Sequence, residues 1–170
     1  MAPEQAMTPQ SEALHLPNSV VTKVDVGRLL RELEQVDEFL HQSAVRAPGT
    51  PVKLPRTSRL FDEVVAENKL NLLQEADRTR LLTFVRQIQT SAPVMHISFS
   101  ADPSPRFVQK LITWLRAEIH PIVLLQIGLQ PNIGAGCVVR TTNKYFDLSL
   151  RSRFKDHRPD LAKLMQGSST

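Results

Sequence analysis

At 170 residues, with 41% hydrophobic and 22% charged residues, the chain has the composition of a folding protein with room for one domain or two small lobes. One cysteine, Cys137, excludes an intrachain disulfide and suits a reducing compartment, and no apolar run approaches the roughly 20 residues of a membrane helix. The net charge of +4 is unevenly spread: residues 1–105 carry 11 Lys/Arg against 13 Asp/Glu, and residues 106–170 carry 10 against 4.

Residues 1–17, rich in Pro, Ser, Thr, Gln and Ala, read as disordered, with no basic lead and apolar run of a secretory signal. A soluble, cytoplasmic protein is expected. From Lys23 to about Arg46, Val26, Leu29, Leu30, Leu33, Val36 and Leu40 recur at spacings of three and four, which predicts an amphipathic helix. Ala47 to Arg56, with three prolines and a glycine, reads as a linker. A second helix is predicted from the capping residue Ser58 to Glu67 with its stop at Asn68, and a third from about Gln74 to Gln89.

After Pro93 the period changes to two. Met95, Ile97 and Phe99 alternate with His96 and Ser98, as in a half-buried strand. Ser104-Pro105 opens a helix carrying Phe107, Val108, Leu111, Ile112, Leu115 and Ile119, and His120-Pro121 closes it. Ile122–Leu129 is apolar enough for a strand inside a sheet, and CVVRTT and YFDLS form a hairpin across Thr142–Lys144. The tail from about Arg151 to Gln166 reads as helix. The expected fold is α+β: residues 18–56 a helix plus linker, 57–92 a helical segment, and 93–170 a small mixed-sheet lobe with a C-terminal helix.

No catalytic cluster emerges. The five histidines (His15, His41, His96, His120 and His157) share no metal-ligand spacing, and Cys137 reads as a small buried strand residue. Gly134-Ala135-Gly136 leads into a strand rather than a helix, so it reads as a turn or close backbone approach and not a phosphate loop. The basic series Arg151, Arg153, Lys155, Arg158 and Lys163 has Phe154 as its one interleaved aromatic, a pattern that favours a protein-facing or solvated helix over a nucleic-acid contact.

The segment QPNIGAGCVVRTTNKYFDLSLRSRF, Gln130 to Phe154, resembles the C-terminal signature of the delta subunit (oligomycin-sensitivity-conferring protein) family of F-type ATP synthases. Pro131, Gly136, Val138, Arg140, Asp147 and Ser149 fall on that pattern, with Leu150 and Phe154 as apolar helix positions; Gln130, Gly134 and Ala135 depart from it. Upstream, Asn68, Leu70 and Leu73 match the family's central Asn-x-x-Leu-x-x-Leu segment, and the likeness covers about residues 57–166.

The resemblance implies a non-catalytic stator subunit, without cofactor or small-molecule substrate. It would join b-type stalk and alpha-type head subunits on the cytoplasmic face of the inner membrane without inserting into it. Arg151, Arg153, Phe154 and Arg158 are the candidate partner contacts, with acidic stalk residues as complements, and Asp147 and Ser149 are assigned to the fold. The family's N-terminal helical bundle has no full counterpart in residues 1–56, so head binding is not carried to particular residues. Three other readings stay open: a basic RNA- or ribosome-associated module, an enzyme gathering His96, His120 or Cys137 with carboxylates, and the related stalk subunit of vacuolar-type ATPases.

Overall fold

In a computed structural model, which describes residues 13–45, 55–141, 143–160 and 163, the chain is an α+β protein. Three helices come first, α1 (Lys23–Val45), α2 (Arg59–Glu67) and α3 (Glu75–Ser91). There follow β1 (Val94–Phe99), α4 (Pro105–Glu118), β2 (Leu124–Leu129), a 3-10 turn over Pro131–Ile133, β3 (Gly136–Arg140), β4 (Tyr145–Ser149) and α5 (Leu150–Asp156).

Local chemistry sets these boundaries. Thr22 and Asp25 exchange hydrogen bonds as a capping box at the start of α1: the Thr22 N–H donates to Asp25 Oδ2 at 2.8 Å, and the Asp25 N–H donates to Thr22 Oγ1 at 3.1 Å. Ser58 and Ser104 each accept a bond from the N–H three residues on, Phe61 and Phe107, and Pro105 fills the first turn of α4, where its missing N–H is not needed. Asn68 stops α2 and accepts no further turn, because its side chain is occupied with Val64 O and with both backbone groups of His15. The expected helix Arg151–Gln166 is interrupted by a turn at His157: α5 ends at Asp156, residues 158–160 and 163 are helical again, and Leu161, Ala162 and 164–170 lie outside the described residues. Most of the expected linker, 46–54, lies outside them too.

The sheet runs in the order β2-β1-β3-β4, with β1 and β2 parallel and the other pairs antiparallel. Its register sorts the side chains onto two faces. One face carries two rows that are apolar across all four strands: Ile127, Ile97, Val139, Phe146, and Leu129, Phe99, Cys137, Leu148. The other carries Leu124 and Val94 at one end, then His96, Gln126, Arg140 and Tyr145 in a polar row.

Two cores result. On the first face, Ile112 and Leu115 of α4 pack with Met95, Ile97 and Leu125. On the second, Leu124 joins Val26, Leu29, Leu33, Phe61, Val64, Leu81, Val85 and Ile88 in a cluster with α1, α2 and α3. So α1 packs on the rest of this chain, mainly on α3. Burial of about a dozen large side chains in that cluster, at roughly 1.5–3 kcal/mol each, is the main force holding the helices to the sheet.

The N-terminal segment departs from expectation. Residues 1–12 lie outside the described residues, but Leu16 and Val20 are buried in the helical core and Val21 in the α4 core. This strap is held from below by Arg116. The buried guanidinium donates to the carbonyl oxygens of Leu16 at 3.2 Å and Pro17 at 2.6 Å, to Asn18 Oδ1 at 3.2 Å, and to Val20 O. Burial pushes the Arg116 pKa down to about 10. Among the described residues no carboxylate pairs with the charge; strap carbonyls and the Val123 carbonyl solvate it, and Nε is left without a partner.

Candidate functional site

One helix cannot cover four strands. Neighbouring strands lie about 4.8 Å apart and a helix with its side chains is about 10 Å across, so α4 shields roughly two of them. It lies over the β1–β2 half. The β3–β4 half of the same face is less covered, with Cys137 and Val139 of β3 packed against the α4 core and Phe146 and Leu148 of β4 exposed, and a groove of about 320 Å³ runs between it and the flank of α4. Phe107, Leu111 and Trp114 form the helix wall; Cys137, Phe146 and Leu148 form the sheet wall. No polar atom contributes accessible surface to the groove. Phe99 and Phe107 meet edge-to-face at 5.7 Å between centroids and close its floor at one end. Trp114 is 56% exposed and Leu148 54%, a large apolar area beside the groove, and Leu129 at the far edge of the same face is exposed as well.

The residues of the family-like signature sit at the turning points of this half. Pro131 opens the 3-10 turn. Gly136 begins β3 at φ +88, and a Cβ there would stand 2.4 Å from Leu148 O, so two independent constraints require glycine. Arg140 ends β3 with its guanidinium 5.2 Å from the Tyr145 ring centroid, on the opposite face from the groove. Asp147 accepts from the Ser149 N–H at 3.0 Å, and hydrogen bonding from Ser149 holds its carboxyl below the usual range. Ser149 is buried, and its hydroxyl caps α5 by accepting from the Ser152 N–H. These five residues fold the lobe.

The candidate partner contacts divide. Arg151, Phe154 and Arg158, with Lys155, line a second cleft between α5 and the turn Asn132–Gly134, whereas Arg153 does not line it. Cys137 is half-buried rather than buried, because it stands on the groove wall where α4 has already passed, and burial pushes its thiol up. His96 points to the other face of the sheet, and the His120 Nδ1 accepts from the Ile122 N–H at 3.3 Å, so neither lines the groove beside the thiol. Among the described residues no group of three His, Cys, Asp or Glu could hold a metal ion, and no helix is long and apolar enough to cross a membrane.

Two buried arginines escaped the sequence reading. Arg116 falls four residues after Ile112, and Arg78 three before Leu81, so each puts a charge on the apolar stripe of its helix. That placement is the available signal. Arg78 binds Asp37 Oδ1 at 2.7 Å and the Leu72 carbonyl at 2.9 Å, tying α3 to α1 and to the loop before it.

No family model matches the chain, and no match to it was found among curated proteins.

Proposed function

We propose that this protein is a non-catalytic peripheral-stalk subunit of a proton-translocating F-type ATP synthase, of delta type, linking head to stalk and resisting rotor torque. The observation that carries this reading is the apolar groove between α4 and the partly uncovered β3–β4 hairpin. A stator has to hold an elongated helical partner under load, and a helix laid in this groove would cover Phe146 and Leu148 of β4, which α4 leaves exposed. Its anchors are aromatic and aliphatic side chains at the centre of a dry surface, the usual seat of binding hot spots. The order of elements and the positions of Pro131, Gly136, Asp147 and Ser149 at the lobe's turns also support the family resemblance.

In this reading the amphipathic end of a b-type stalk subunit occupies the groove, and alpha-type head subunits are held elsewhere. The chain sits on the cytoplasmic face of the inner membrane through the complex. Tagged protein recovered from its own cells in mild detergent, with mass spectrometry of what accompanies it, tests the proposal. Head and stalk subunits in fixed proportion are expected, with the stalk subunits lost from a Leu148→Asp variant. Recovery of RNA or ribosomal proteins in their place would overturn it.

A further inference from the structure

Beside α5 lies a cleft of about 650 Å³ with a different chemistry from the groove along α4. Arg151, Phe154, Lys155 and Arg158 recur at the helical spacings of three and four, so they line one side. Ile133 and Gly134 of the 3-10 turn line the other. The floor is apolar: Ile133 is buried, and Leu150 and Phe154 are exposed at 44% and 55%. The rim is cationic, and none of the residues lining the cleft is a carboxylate. Among the described residues, neither Arg151, Lys155 nor Arg158 closes an ion pair.

We infer that this cleft is a second docking site, for a segment of a partner protein that carries acidic residues around an apolar anchor. The anchor would rest on Ile133, Leu150 and Phe154 while its carboxylates meet Arg151, Lys155 and Arg158. Three cations around a short apolar floor, two of them (Arg151 and Lys155) also in the field of Asp147, match that alternation of charge and hydrocarbon. A nucleic acid fits less well. Its phosphates repeat without interruption and need a continuous cationic track. Here the Asp147 carboxylate, in the field of Arg151 and Lys155, interrupts such a track. Arg153 serves as an internal control, being a cation of α5 outside the cleft.

The inference leans on the stator reading only for the partner's name; the site itself is tested on the isolated full-length protein, so each can fail alone. The probe is a short fluorescein-labelled peptide of alternating Leu and Glu turns, followed by anisotropy. A Lys-for-Glu analogue and a labelled oligo-dT serve as comparisons. Binding of the Glu peptide that weakens with salt is expected. Lys155→Glu should weaken it about five- to tenfold and Arg153→Glu less than about twofold. Phe154→Ser should weaken it without altering the salt dependence. All three positions are exposed, and unchanged thermal melting confirms that the variants fold. Equal losses from Lys155→Glu and Arg153→Glu would reduce the site to diffuse charge and overturn the inference. So would oligo-dT binding that is tighter than the peptide's and is lost in Lys155→Glu.

Discussion

The two outer strands of the α4-facing side of the sheet carry the same chemistry but differ in how far α4 covers them. Leu125 on β2 and Leu148 on β4 are both strand leucines turned to that side, yet Leu125 is 1% exposed and Leu148 54%. Alternation along a strand fixes which side chains share a face. What covers the face depends on how many helices the chain supplies, and here one helix meets four strands. Cys137 and Val139 still pack against the α4 core, whereas Phe146 and Leu148 leave apolar area in solvent, which is what the proposed partner surface requires.

Matched truncations break the comparison most directly. Leu125→Ala should cost about 3 kcal/mol in urea unfolding, from lost transfer energy and the cavity left among Met95, Ile112 and Leu115. Leu148→Ala should cost under about 0.5 kcal/mol, because solvent already reaches the side chain. Equal costs would mean the bare half is covered within the free protein, and the groove would lose its meaning.

Arg116→Met sharpens the comparison from the sealed side. It leaves the carbonyls of Leu16, Pro17 and Val20 facing an apolar chain, so a loss of about 2 kcal/mol is expected. The strap should also become the first segment cut by protease, ahead of the hairpin. An unchanged cleavage pattern would show that the strap is held by Leu16 and Val20 alone.

Legibility in the sequence follows the same division between local and distant causes. The elements from β1 to β4 were predicted within about two residues, because alternation, Ser104-Pro105 and the glycines act over a few positions. The place of Gly136 was readable as a close approach, and the structure supplies the atom approached, Leu148 O. The strap is not readable: it is tied down by distant contacts such as Arg116, 99 residues away from Pro17, and Leu14 and Leu16 are too short a run to mark an element. Phe107, Trp114, Phe146 and Leu148 were legible as apolar positions, but that they remain uncovered follows from packing. Charge alone groups Arg153 with Arg151 and Arg158, and the lining of the cleft separates it from them.

The smallest effect is also the most local reporter of the groove. Cys137 stands on the sheet wall, and burial raises its thiol pKa. Its thiolate fraction at a given pH is therefore below that of a free cysteine, and the thiolate is the form that alkylates. Iodoacetamide labelling of the free protein should rise with pH to a midpoint above that of an unstructured cysteine peptide run in parallel. The linkage has the corresponding sign: the folded state holds this proton to higher pH than the unfolded state, so the thiol's contribution to stability is present below the unfolded pKa and lost as pH rises through the folded one. A helix seated in the groove would exclude the reagent and shift the emission of Trp114, the one tryptophan, to the blue. Protection of Cys137 and the Trp114 shift should therefore saturate together as a stalk subunit is added. A Trp114 shift with Cys137 still reactive would place the partner on the outer side of α4, away from the bare strands.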